Sequence, residues 1–186
     1  MISENYKLRL KSLAGINEAK THKNEYGALM LNVDFKNWKD ILSLIDKEDI
    51  YNEEPGFSLE KKPHCTVLFG FHASCDVNKI IELTKKNSKD KIEITCKNIS
   101  YFETEDYDVV KFDVESKDMT KLNKIMTDNF DYTTDYPDYH PHITIGYVKK
   151  GSGKKYDQKH KGEIISSNTF IYSPPGDKKV KTTFTL

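Results

Sequence analysis

Arginine is almost missing from this chain: Arg9 is the one arginine among 29 basic residues. Charge of one sign is missing too, since 29 acidic residues balance them. A protein that coats long duplex DNA or an anionic membrane needs a basic excess, so both classes are set aside. A small anionic ligand needs only a local positive site and stays allowed. The lysine bias reflects coding composition rather than mechanism. No long apolar run opens the chain, which predicts neither a signal peptide nor a membrane span, and hence a cytoplasmic protein. Cys65, Cys75 and Cys96 are few, odd in number and form no CxxC pair. They read as reduced, mostly buried thiols, without a disulfide framework or a covalent role.

What is present is periodicity, enough for one folded domain of mixed helix and strand. Residues 1–25 read as a helical appendage, with Tyr6, Leu10 and Leu13 at helical spacing and Gly15 as a stop. The body follows over 26–186. Leu29, Leu31, Val33 and Phe35 alternate as a strand. Trp38, Ile41, Leu42 and Ile45 make a helical stripe, and 51–63 is a loop. An apolar run from His64 to Phe71 comes next. A helix through Val77, Ile80, Ile81 and Thr84 has Ser74 or Asp76 as its cap. A strand from Ile92 through Cys96 to Tyr101 ends the first half. The second half repeats the order. Val110, Phe112 and Val114 form a strand, and Met119, Leu122, Ile125 and Met126 a helix. A turn-rich loop over 131–141 then leads into His142 to Val148. Phe35 lies 29 residues before His64 and Val114 lies 28 before His142. Two lobes of matching order and spacing, about 26–103 and 104–186, point to a duplication. Two later strands are expected around Ile164–Tyr172 and Val180–Leu186.

Each lobe carries the same short motif. One reads Pro63-His64-Cys65-Thr66-Val67, the other Pro141-His142-Ile143-Thr144-Ile145. Residues i and i+2 of a strand share a face, so His64 projects with Thr66 and His142 with Thr144. Cleavage of a phosphodiester needs a base for the attacking oxygen and an acid for the departing one. Imidazole performs both near neutral pH. Threonine hydroxyls can bond the non-bridging oxygens, where charge collects in the transition state. One HxT is weak; two, each on a strand and after proline at matched places in a repeat, are specific.

The duplicated order and the two motifs resemble the 2H phosphoesterase superfamily over about residues 26–186. Its branches include LigT-like RNA ligases, 2′,3′-cyclic phosphodiesterases and phage anti-CBASS nucleases. The runs Glu48-Asp49-Ile50-Tyr51, Gly56-Phe57-Ser58-Leu59-Glu60 and Pro63 to Gly70 are most similar to the phage-encoded members. The resemblance implies an α+β fold: two lobes about a pseudo-twofold axis, antiparallel-rich sheets lining a central cleft, helices outside. It implies a metal-independent phosphodiesterase, without cofactor, that cleaves 3′–5′ bonds of cyclic oligonucleotide messengers and counters host CBASS immunity. His64 and His142 would be catalytic, assisted by Thr66 and Thr144. Two alternatives use the same residues: RNA-end processing (a 2′,3′-cyclic phosphodiesterase or 2′–5′ ligase), and a sponge that binds a nucleotide without cleaving it.

Other residues carry weaker signals. Tyr26, before the first strand, and Tyr139, before the second motif, are the candidates for stacking on a nucleobase. Tyr147 falls on the opposite parity from His142 and is expected to pack; Trp38 is expected in the core. His140 is read as a rim residue, not a metal ligand, and His72 as surface polar. Lys149, Lys150, Lys154, Lys155, Lys159 and Lys161 flank Gly151 and Gly153. They read as a solvated hairpin loop, with a phosphate-attracting lid as the sharper alternative.

Overall fold

The computed structural model describes residues 25–53, 57–134, 138–159, 162–176 and 180–186. Of the expected appendage only Glu25 falls among them; Tyr6, Leu10, Leu13 and Gly15 lie outside the described residues. The elements run β1 (Gly27–Asn32), α1 (Trp38–Leu42), β2 (His64–Phe71), α2 (Val77–Asn87), β3 (Ile92–Glu103), β4 (Tyr107–Glu115), α3 (Lys117–Asn129), β5 (His142–Lys149), β6 (Glu163–Ser167), β7 (Thr169–Ser173) and β8 (Thr182–Thr185). The strands form an eight-stranded antiparallel sheet in the order β6-β3-β4-β5-β2-β1-β7-β8.

One face of this sheet is apolar and closed by the helices. Leu29, Leu31, Val67, Ile143 and Ile145 from the strands are buried in one cluster with Ile80, Met119, Leu122 and Met126 from α2 and α3. Two caps begin the long helices: Asp76 accepts from the Asn78 amide and Ser116 from the Met119 amide. Each satisfies one of the donors that a helix start leaves unpaired. The first helix is shorter than its stripe suggests. After Leu42 the backbone tightens into i→i−3 bonds, Leu44 N to Ile41 O and Ile45 N to Leu42 O. Ile45 stays buried through that turn.

The stretch Ile164–Tyr172, expected as one strand, is two. β6 pairs with β3, Asn168 intervenes, and β7 pairs with β1. Five strands stand between β6 and β7 in the sheet. Flat, the two would lie roughly 29 Å apart, whereas one residue spans about 3.5 Å. The sheet must therefore curl round, and β6–β7 is a bent strap joining its two halves. The halves also divide differently from the chain repeat at 103/104. β3 belongs beside β4, and β7 and β8 return to β1, because the strap carries the C-terminal segment back across.

The motif strands β2 and β5 meet at the centre. They pair at Cys65 opposite Ile143. Beyond it each strand is continued by the other lobe's loop. Residues 50–51 and 58–60 run along β5, with Tyr51 N to Tyr147 O, Tyr147 N to Ser58 O and Glu60 N to Ile145 O. Residues 131–133 run along β2, with Thr133 N to Gly70 O and His72 N to Asp131 O. Each loop precedes one motif and clasps the other motif's strand. Gly70 and Gly146 let these loops come close, since a Cβ at either would collide with Thr133 or Leu59.

Candidate active site

Antiparallel register around Cys65–Ile143 sets His64 across from Thr144 and Thr66 across from His142. Cys65 and Ile143 point into the core at 0% exposure, so all four motif side chains lie on the opposite face. The two histidines are diagonal neighbours, a relation that sets residues about 7–8 Å apart and their β-carbons somewhat closer.

Both rings are held the same way. His64 Nδ1 lies 2.9 Å from the Lys62 carbonyl and His142 Nδ1 lies 2.8 Å from the His140 carbonyl. A carbonyl only accepts, so each Nδ1 must donate. That leaves Nε2 as the titrating atom of each ring, an acceptor when neutral and a donor when protonated. The backbone repeats the symmetry: Val33 N donates to Pro63 O at 3.0 Å and Val114 N to Pro141 O at 3.1 Å.

The neighbouring strands break it. Asn32 of β1 faces His64 and Met30 faces Thr66. The corresponding residues of β4 are Asp113, facing His142, and Lys111, facing Thr144. The Lys111 ammonium donates to Asp113 Oδ1 and to Ser100 Oγ at 2.7 Å, and Ser100 donates to Asp113 at 2.8 Å. It also stands 4.2 Å from the centroid of the Phe102 ring, whose plane meets His142 edge-on at 5.2 Å. Burial pushes the Asp113 carboxyl up, but the hydrogen bonds from Lys111 and Ser100 hold it below the usual range. Burial pushes the pKa of His142 down. The bond to the His140 carbonyl opposes this, the Lys111 and His64 charges add to it, and Asp113 opposes it again. Sequence reasoning missed Lys111, Asp113, Ser100 and Phe102. A signal was present: Lys-x-Asp on the polar parity of the strand before the second motif, against Met-x-Asn before the first.

Of the proposed stacking residues, Tyr26 lies at one end of the motif face. Its ring stacks on His72 at 5.7 Å and meets Phe69 edge-on at 6.3 Å. Phe69, 40% exposed, was not singled out in the sequence. Tyr139 is half-buried, and its hydroxyl donates to the Thr66 carbonyl at 2.8 Å, tying the second motif's approach to the first motif's strand. Burial pushes its pKa up. Tyr139→Phe is expected to lose about 1 kcal/mol of stability, read as a lower urea midpoint at unchanged slope. Tyr147 does pack, against Phe57 at 4.9 Å and Tyr107 at 5.5 Å. Parity was the wrong reason. Lys111 pairs with Thr144 but Val110 with Gly146, a bulge that returns Tyr147 to the motif face. The matching bulge in the other lobe, Met30 with Thr66 but Leu29 with Leu68, does the same for Phe69.

Trp38 is buried and donates to the Glu60 carbonyl, as a core residue. His140 is exposed, and His72 bonds Thr133 Oγ1 at 2.9 Å. In the lysine segment, expected as a solvated hairpin, the described lysines are exposed, Gly153–Tyr156 forms a 3-10 turn anchored to the body, and Lys161 lies outside the described residues. Lys155 pairs with Asp46 and Asp49, Gly153 N donates to Asp108, and Lys150 bonds the Glu105 carbonyl. Cys65 and Cys96 are buried thiols, both pushed up to about 12 by burial, while Cys75 is half-buried. Among the described residues no three His, Cys, Asp or Glu side chains gather as a metal-ligand set. Among them, too, no helix is long and apolar enough to cross a membrane.

Residues 29–172 match the family model described as anti-CBASS protein Acb1. The chain belongs to the anti-CBASS protein Acb1 family. The match spans both motifs and most of the sheet, from β1 into β7. No curated protein matches by sequence. Solved structures match by fold. Usb1 of Kluyveromyces marxianus has a TM-score of 0.59 at 7% identity, covering 88% of this chain and 99% of that one. E. coli LigT complexed with 3′-AMP has a TM-score of 0.57 at 10% identity, covering 87% and 95%. LigT complexed with NADP+ has a TM-score of 0.52 at 12% identity, covering 87% and 96%. The curled antiparallel α+β fold is that of the 2H phosphoesterases, and this Acb1-family chain is a phosphodiesterase of that type acting against CBASS.

Proposed function

We propose that this Acb1-family protein cleaves 3′–5′ bonds of cyclic oligonucleotide messengers, without a metal, in the cytoplasm of an infected host cell. The observation that carries the reading is the opposition of the two motifs in register, with each imidazole pinned through Nδ1 and presenting Nε2. One Nε2 takes the proton of the attacking oxygen, a ribose 2′-hydroxyl or a water. The other protonates the 5′-oxygen as its bond to phosphorus breaks. The Thr66 and Thr144 hydroxyls donate to the non-bridging oxygens, where charge accumulates. If the 2′-hydroxyl attacks, a 2′,3′-cyclic phosphate is formed. Tyr26, with Phe69 beside it, offers a platform for a base flanking the scissile phosphate. Tyr139 acts on the substrate through the Thr66 backbone it holds.

The test is a panel of cyclic dinucleotides, cyclic trinucleotides and RNA 2′,3′-cyclic phosphate ends, incubated in excess EDTA and read by mass spectrometry. Linear products from the cyclic compounds are expected, with a bell-shaped pH profile. Activity lost in EDTA and restored by zinc or manganese would refute the metal-free step. Turnover of RNA ends alone would move the assignment to end processing. A ligand returned unchanged would make the protein a sponge.

A further inference from the structure

We propose that the Lys111–Asp113–Ser100 cluster, which has no counterpart in the first lobe, divides the labour of the two histidines: His142 is the base and His64 the acid in the bond-breaking step. The inference rests on the phosphodiesterase reading and deepens it. The motifs themselves are symmetric in sequence, in register and in the carbonyl that orients each ring. Among the described residues, the difference in charge beside the two rings enters from the flanking strands.

Position by position, the first lobe sets Asn32 beside His64 and Met30 beside Thr66, neither of them charged. The second lobe sets Asp113 beside His142 and Lys111 beside Thr144. The Lys111 side chain is 6% exposed, against 43% for Asp113, so its cation is screened by protein more than by water. Phe102 touches both that cation and the His142 ring. Among the described residues, the charged groups that act on His142 are Lys111 and Asp113 of β4 and His64 of β2. A second positive charge on His142 is opposed by its burial, by Lys111 and by a protonated His64; Asp113 offsets only part of this. Two close imidazoles share a single proton more easily than they hold two. Lys111 beside His142 disfavours a proton on that ring, which suits it to receive one from the nucleophile and leaves His64 to supply one.

The step then balances with no further reactant. The nucleophile's proton moves to His142 Nε2 as its oxygen bonds to phosphorus. The bond from phosphorus to the 5′-oxygen breaks, and the His64 Nε2 proton goes to that oxygen. Lys111 and Asp113 are positioning residues here, acting through His142, because the ammonium's donors are already directed at Asp113, Ser100 and the Phe102 ring.

Two readouts test this. Imidazole NMR titration of the free protein needs no turnover, so it decides the inference even if the phosphodiesterase reading fails. His142 should titrate below His64. In Lys111→Met the His142 titration should rise by roughly 1 unit, the size of shift a nearby charge produces. The acidic limb of kcat/KM on cyclic di-AMP should rise with it, while the alkaline limb stays. Lys111→Arg should restore the wild-type limb. Lys111→Met leaves the Asp113 carboxylate without its cation, which costs stability. The double variant Lys111→Met/Asp113→Asn installs the residues of the first lobe instead, and its acidic limb should move the same way by less. His142 titrating above His64, or Lys111→Met moving the alkaline limb or neither limb, would overturn the assignment.

Discussion

His64→Ala and His142→Ala should each lower kcat/KM on a cyclic dinucleotide by about 10²–10⁴-fold, with folding unchanged. Both rings are partly exposed at the centre of the motif face, and neither fills the core. The double variant should fall little below either single one, because acid and base act in one concerted step and their losses do not add. Single-turnover kinetics alongside a thermal melt separates this from unfolding. A single variant that keeps wild-type turnover would remove that histidine from the chemistry.

Gly70→Ala should be among the most damaging substitutions to stability, although it removes no contact. Gly70 sits at φ +116°, and an added Cβ would stand 1.9 Å from the Thr133 carbonyl oxygen. The obstacle is backbone of the loop that leads to the second motif, so it cannot rotate aside. Strain of the backbone alone costs about 1–3 kcal/mol. The loop must then move as well, so a total near ~4 kcal/mol is expected from urea unfolding, beyond most single changes. Gly151→Ala is the control. It also has positive φ, at +81°, but a Cβ there meets nothing within 4 Å, so the cost should stay near ~1 kcal/mol. Equal losses at the two positions would mean that backbone conformation, and not the clasp between the lobes, sets the cost at Gly70.

Much of this architecture was legible before any coordinates. Alternation around Leu29–Val33 and Val110–Val114, and the stripe of Met119, Leu122 and Met126, report one-sided burial, which a sequence writes directly. The HxT repeats placed two imidazoles on strands at matched positions. That both motifs line one cleft came only through the family resemblance, and the pairing of their strands at Cys65–Ile143 was not foreseen, since no local pattern specifies which strands pair. The bent strap at Asn168 was invisible for the same reason. β6 and β7 are each ordinary strands, and what separates them is the partner each finds. The bulges that turn Phe69 and Tyr147 onto the motif face defeated simple parity, because one extra residue reverses every later assignment. Lys111 and Asp113 could have been found by comparing the lobes residue by residue, as departures from Met30 and Asn32.

The central claim is that two imidazoles from opposite lobes act on a single phosphorus atom. A crystal structure of the protein with a phosphorothioate cyclic dinucleotide, a slow analogue of the proposed substrate, tests it most directly. The account predicts His64 Nε2 and His142 Nε2 each within about 3 Å of an oxygen or sulfur on the same phosphorus, a hydrogen-bonding distance. A phosphate that engages only one of the rings, or binds away from the Cys65–Ile143 crossing, would contradict it.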